Sequence, residues 1–270
     1  MCFTVFTSFT VESIFGGTWV SLAPISEARE GYGAAIVNDK IYYIGGFNGS
    51  FDRATVFIYD IATNTWSTGA NLPSPSRAEF GAVTNGTHIF VVGGRAIGLA
   101  LNIVDVYDPS TDTWTRVSSM PISLATEYCV IYFNGKIYVA GGRTGASPSI
   151  NPVKTLLIYD IATDTWSYGA DLPFNVSDAS AIVFDNKIYL FGGFDAYGNV
   201  LNTALIYDIA TDTWSFGASM PKPRADAAVG RCSSRILVIG GWNGYAMTDT
   251  VFVYNPYTNS WDTGPPNAIT

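Results

Sequence analysis

The sequence predicts an all-β fold: a β-propeller built from about five copies of one four-stranded module. Three observations carry this. Tryptophan recurs at Trp19, Trp66, Trp114, Trp166, Trp214 and Trp261, at spacings of 47, 48, 52, 48 and 47 residues. A glycine pair lies between successive tryptophans, at Gly45-Gly46, Gly93-Gly94, Gly141-Gly142, Gly192-Gly193 and Gly240-Gly241. A Tyr-Asp or its close variant follows each pair, at Tyr59-Asp60, Tyr107-Asp108, Tyr159-Asp160, Tyr207-Asp208 and Tyr254-Asn255. A fixed period of this length marks a repeat architecture, in which each unit buries its faces only by stacking on its neighbours. No segment shows helical periodicity.

Each module reads the same way. In the first, GAAIVNDKIYYIGG is an apolar run, a polar turn at Asn38-Asp39 and a second apolar run, which signals a hairpin. TVFIYD is a third strand, rich in β-branched and aromatic residues; IATNT is a turn and TWSTG a short fourth strand. The glycine pair closes the second strand where a side chain would obstruct a sharp turn. Tryptophan and tyrosine suit the gap between sheets, and the aspartate suits the backbone of the following turn. Twelve residues before each glycine pair stand Gly33, Gly81, Cys129, Ser180 and Ala228, all small, as an inner strand crowded near an axis requires.

The modules run over 20–66, 67–114, 115–166, 167–214 and 215–264, within one domain over 1–270. Residues 1–19 read as degenerate outer strands, because FTVESIFGGTW aligns with FIYDIATNTW. Outer strands without inner ones have little to pair with. That favours five blades; the alternative is a six-bladed ring with one incomplete blade. Phe3, Phe6 and Phe9 would make a sticky edge through which copies of the chain could associate.

Composition excludes several classes. The formal net charge is -8 with no basic patch, which argues against binding a nucleic-acid backbone. No apolar stretch reaches the ~18 residues of a membrane-spanning helix. The N-terminal MCFTVFTSFTVESIFGG lacks the basic region of a signal peptide. Low lysine, high threonine and asparagine and the acidic balance nonetheless favour a secreted or cell-surface protein over a cytoplasmic adaptor. Three cysteines form no CxxC, and Cys129 and Cys232 sit in apolar runs as small core residues. His88 is the sole histidine, so a multi-histidine metal centre is excluded in one chain, and no metal or cofactor is expected. DIATDT and DPSTDT lack the glycine and distal glutamate of a calcium loop and read as turns. No GxSxG, P-loop or GxGxxG is present. Asn48, Asn85 and Asn175 begin glycosylation sequons.

GGFNG, GGFDAYG and GGWNG, followed by YDIATNTW, YDPSTDTW, YDIATDTW and YNPYTNSW, resemble the Kelch repeat. The resemblance covers residues 20 to 264 and implies a Kelch-type β-propeller, though such propellers usually close with six or seven blades. It also implies a ligand on the face that holds the second-to-third strand loops and the start of the inner strand. Three sets of residues fall there. Directly after each glycine pair stand Phe47, Arg95, Arg143, Phe194 and Trp242, aromatic planes and guanidiniums suited to peptide side chains, sugar rings or carboxylates. Fourteen before each pair stand Gly31, Glu79, Glu127, Asp178 and Asp226, mostly acidic where strand propensity disfavours acids. Sixteen before stand Arg29, Arg77, Ala125, Val176 and Arg224; residues two apart share a strand face, so Arg77 should point with Glu79, and Arg224 with Asp226. The bland reading is a ring of structural ion pairs; the functional one is a charged rim round a channel mouth.

The expected function is non-catalytic binding of a protein, peptide or glycan at that mouth. One alternative is a sugar mutarotase-like enzyme, in which an arginine-plus-acid mouth would deprotonate an anomeric centre. Another is a structural or adhesive fragment of a larger protein. Fold alone does not decide among them.

Overall fold

Twenty strands pair into five antiparallel four-stranded sheets in the computed structural model, which describes residues 21–124, 127–144 and 151–263. The expected outer strands over 1–19, and the edge at Phe3, Phe6 and Phe9, lie outside the described residues. No helix occurs among the described residues.

The first sheet shows the rule. Its strands are Gly33–Val37, Lys40–Ile44, Val56–Asp60 and Thr65–Gly69, paired in chain order with Ile36 opposite Ile41, Tyr42 opposite Ile58 and Tyr59 opposite Trp66. The predicted turn at Asn38-Asp39 has φ of 50° and 57°, the left-handed pair that a two-residue hairpin demands. The other inner strands are Gly81–Thr84, Cys129–Phe133, Ser180–Phe184 and Ala228–Cys232.

Each sheet packs on the next in sequence order. Tyr42 and Ile44 of the first meet Phe80, Ile89 and Tyr107 of the second. Phe90 and Val92 meet Tyr128, Ile137 and Val139 of the third; Tyr138 and Ala140 meet Ile188, Leu190 and Tyr207 of the fourth. Tyr189 and Phe191 meet Ile236, Val238 and Tyr254 of the fifth. Burying one such side chain contributes roughly 1.5–3 kcal/mol, so these interfaces are the main source of stability. The small residue that opens each inner strand allows the approach: a Cβ on Gly33 would collide with Phe80, and one on Gly81 with Val130.

A repeated polar latch holds the outer edge. Tyr107 donates its hydroxyl to Asp112 Oδ1 at 2.5 Å, and the same oxygen accepts the Ala70 N–H at 2.6 Å. Trp114 Nε1 then donates to the Ala70 carbonyl at 2.9 Å. Asn64, Asp164, Asp212 and Asn259 do the same for Tyr59, Tyr159, Tyr207 and Tyr254. All five acceptors sit at φ between 49° and 55°, which Asn and Asp tolerate best. The segment leaving one sheet is thus clamped by the next. The Asp of Tyr-Asp serves its own turn, as Asp60 Oδ1 accepting from Ala62 and Thr63 shows, and it pairs with the residue that opens the second strand. Lys40, Lys136 and Lys187 meet Asp60, Asp160 and Asp208 in this way, and half-exposed His88 lies 3.9 Å from Asp108, a surface position as expected.

Candidate functional site

The second-to-third strand loops and the heads of the inner strands come together at one end of the propeller. Backbone bridges join them: Glu30 to Phe47, Ala78 to Arg95, Ser177 to Phe194 and Ala225 to Trp242. The glycine pair makes this turn possible. A Cβ at Gly46 would stand 2.9 Å from the Glu30 carbonyl, and one at Gly192 would collide with the Arg224 carbonyl.

The predicted acidic ring has an unforeseen backbone reason. Gly31, Glu79, Glu127, Asp178 and Asp226 all occupy the left-handed region, at φ of 58°, 58°, 66°, 55° and 53°. Their peptides chain round the axis: the Glu79 N–H donates to Gly31, Asp178 to Glu127 and Asp226 to Asp178, at 2.6, 2.8 and 3.0 Å. Glycine is the unstrained choice here, as in the first module. Four acidic side chains stand instead, each held at a cost of order 1 kcal/mol.

The acids pair with the arginines that follow the glycine pairs. Arg95 Nε lies 2.8 Å from Glu79 Oε2, its Nη1 lies 3.7 Å from Asp52 of the preceding loop, and its guanidinium sits 5.7 Å from the Phe47 ring centre. The Glu79 hydrogen bond raises the Arg95 pKa further above its ordinary value. Arg143 lies between two modules, with Nε 2.5 Å from Glu127 and Nη2 3.3 Å from Asp178. Ser177 takes a hydrogen bond from Arg143 and gives one to Asp178 Oδ2, at 3.0 and 2.8 Å. Asp178 is only 6% exposed. Burial, with Glu127 and Asp226 close by, pushes its carboxyl up to about 8 despite the Ser177 hydrogen bond. Four carboxylates therefore share two guanidiniums, and neither arginine is left over for an acidic ligand.

The sixteen-before arginines lie elsewhere. Arg77 is fully buried, donating to Asp105 Oδ2 at 2.7 Å and to the Gly93 carbonyl at 3.1 Å. Arg224 is buried over the Phe252 ring at 4.7 Å and donates to the Pro223 carbonyl. Arg29 bonds Glu27 and the Gly45 and Thr55 carbonyls; Asn48, Arg29 and Arg53 together hold Glu27 down to about 2. Arg77 does not point with Glu79, nor Arg224 with Asp226, because the left-handed residue breaks the two-residue alternation on which that expectation rests. These three arginines brace the sheets. Val176 is buried, and Ala125 lies outside the described residues.

Phe47, Phe194 and Trp242 are half-buried against their own loops. The loop tips beyond them are the residues that sequence reasoning passed over. Phe51, Ile97, Leu99, Tyr197, Tyr245 and Met247 are 69%, 93%, 60%, 91%, 92% and 66% exposed. They place a large apolar side chain at the tip of every described second-to-third loop. Ile97 also stands at φ 50°, an outlier for a β-branched side chain. Their signal in the sequence is a lone large side chain inside each Gly/Asn-rich loop, several residues beyond the glycine pair.

Five four-stranded sheets in chain order, clamped at their rims and gathered round a loop-built mouth, define a β-propeller of the repeat class. The chain belongs to the Kelch-repeat family: the KLHDC2/KLHL20/DRC7 Kelch-repeats domain model matches residues 119–268, and the Kelch motif matches 28–73 and 76–121. Kelch repeat-containing protein kel-10 of Caenorhabditis elegans is 28% identical over 167 residues, 62% of this chain and 21% of that protein. Kelch-like protein 7 of Rattus norvegicus is 38% identical over 56 residues, 21% of this chain and 10% of that protein. The chain thus matches a small share of each relative's length. The solved structure of YjhT superposes with a TM-score of 0.74 at 18% identity, covering 92% of this chain and 86% of that one, a likeness of fold.

Proposed function

We propose that this chain is a protein-recognition propeller whose mouth takes a basic side chain of a partner segment while the loop tips grip its apolar flanks. The observation that carries this is the exposed large side chain on each of four second-to-third loops, beside an acid-rich mouth. Rigid scaffolds commonly present function on such loops. Each mouth arginine is already matched by a carboxylate of its own module, so the surplus charge is negative. A lysine or arginine entering beside Asp178 supplies the missing countercharge and favours the ionised carboxylate. Membership of a family whose domains generally bind proteins agrees with this reading.

The test is a selection of displayed random peptides on the wild-type chain and on a Glu127→Gln, Asp178→Asn double variant. Enrichment of peptides with a basic residue flanked by apolar ones, on the wild type alone, is the expected outcome. Enrichment of acidic peptides, or equal enrichment on both proteins, counts against it. Retention on a glycan array without any peptide enrichment would transfer the mouth to a carbohydrate ligand.

A further inference from the structure

Three arginines stand sixteen residues before a glycine pair, and the chain supplies two of them with a carboxylate. Arg29 takes Glu27, two residues upstream: its Nε and Nη2 both donate to Glu27 Oε2, at 2.8 and 2.6 Å. Arg77 takes Asp105 of its own third strand, at 2.7 Å. Arg224 has neither source. Lys222 stands in the place of Glu27, and Phe252 in the place of Asp105. Among the described residues the Arg224 guanidinium meets the Pro223 carbonyl and the Phe252 ring, and its buried Nε has no hydrogen-bond partner. Burial pushes the Arg224 pKa down with no carboxylate to oppose it, whereas Asp105 opposes the same effect at Arg77.

In other respects the fifth module repeats the first around this arginine. Arg29 lies 4.6 Å from the Phe57 ring centre, and Arg224 lies 4.7 Å from that of Phe252. The chain bends at Ser26-Glu27 and again at Pro221-Lys222, then bridges Glu30 to Phe47 and Ala225 to Trp242. Asn48 Oδ1 accepts from the Ser50 and Phe51 N–H groups, and its Nδ2 donates to Glu27 Oε1 at 2.8 Å. Asn243 Oδ1 accepts from Tyr245 and Ala246 in the same way, and its Nδ2 makes no hydrogen bond among the described residues. Thr248 replaces Arg53, the third partner of Glu27.

We propose that Arg224, Asn243 and Lys222 form a binding site for a carboxylate that comes from outside the chain. The first module supplies the geometry. There one carboxylate oxygen meets the arginine and the other meets the loop asparagine. The same bridge from Arg224 Nε to Asn243 Nδ2 calls for an external carboxylate, and Lys222 brings the second positive charge that Arg53 brings to Glu27. The first module also shows the access: the Arg29 side chain is 1% exposed, yet the Glu27 side chain that meets it is 27% exposed. Lys222 is exposed and Asn243 half-buried, so the corresponding place in the fifth module borders solvent. A guanidinium binds a carboxylate through strong charge-assisted hydrogen bonds, and a buried charge without a partner is costly until one arrives. A small free acid and an acidic side chain of a partner protein share this chemistry. The site faces the fourth sheet through Phe252 and uses no group of the mouth.

The probe is sodium acetate, titrated at constant ionic strength into the full chain while nuclear magnetic resonance follows the Arg224 Nε–H signal. A saturable shift of that signal, with a rise in thermal midpoint, is expected. Lys222→Glu places a carboxylate where Glu27 stands in the first module. It should raise the midpoint of the free chain and weaken acetate at least tenfold, whereas Lys222→Gln should weaken acetate less and leave the midpoint unchanged. A blocked Gly-Glu-Gly peptide separates the two sources, and either result supports the site: binding tighter than acetate assigns it to a partner's acidic side chain, and weaker binding to a small free acid. Three results would overturn the proposal: no saturable shift, an equal shift with sodium chloride in place of acetate, or undiminished acetate binding by Lys222→Glu. The titration should be unchanged in the Glu127→Gln, Asp178→Asn variant, so failure here and failure of the mouth are told apart.

Discussion

Replacing Asp178 by glycine should stabilise the fold, and by more at high pH than at low. Two effects add. The residue sits at φ 55°, where glycine avoids a steric penalty of about 1 kcal/mol. Its carboxyl, 6% exposed, is raised from 3.8 to about 8 by burial and by its acidic neighbours. Between those two values the folded chain holds a proton that the unfolded chain has released. Stability from this group is therefore greatest below pH 4, falls as pH rises towards 8 and levels off above it. The variant removes that loss, and Arg143 keeps Glu127 at 2.5 Å as its partner. Urea unfolding at pH 5 and pH 8.5 reads the outcome. The variant should gain at least about 1 kcal/mol at pH 5 over the wild type, from relief of the strain, and more at pH 8.5. A variant less stable than the wild type at both values would refute the strain argument, and a difference independent of pH would refute the charge argument.

Three further expectations follow from the same geometry. Asp105→Ala leaves fully buried Arg77 without its carboxylate and should cost about 3–5 kcal/mol in chemical denaturation, whereas Arg77→Met with Asp105→Leu together should recover most of it. Asp112→Ala strips the acceptor shared by Tyr107 and the Ala70 N–H and should cost about 1–3 kcal/mol, while Asp112→Asn, the residue that the first and fifth modules use, should cost far less in the same assay. Tyr197→Ser with Tyr245→Ser should move the thermal midpoint by no more than about 0.5 kcal/mol equivalent per site, yet lower retention of selected peptides severalfold in a pull-down.

Much of the scaffold was legible because it rests on local and periodic signals. The Trp, Tyr-Asp and Gly-Gly spacings gave the strand pattern, and Gly33, Gly81, Cys129, Ser180 and Ala228 gave the crowded inner strand. The mouth was legible only in part. The acidic ring and the post-glycine arginines were found by comparing equivalent positions, and the structure brings Glu79 to Arg95 and Glu127 and Asp178 to Arg143. The partners assigned to Arg77 and Arg224 were not found, because a left-handed residue between two strands turns the chain and cancels the alternation rule. Composition alone could not show that turn: Glu79 and Asp226 carry no mark of a positive φ except their equivalence to Gly31. The latch at Asn64, Asp112, Asp164, Asp212 and Asn259 shows only as a turn in the sequence, since its second partner lies more than forty residues away.

The most direct measurement of the central claim is the pH dependence of affinity for a basic peptide selected on the wild-type mouth, followed by calorimetry from pH 6 to pH 9. A cationic side chain beside Asp178 requires the ionised carboxylate, so affinity should tighten as pH rises towards about 8, and the dependence should vanish in Asp178→Asn. Affinity that falls with pH, or a profile shared by the variant, would contradict the account.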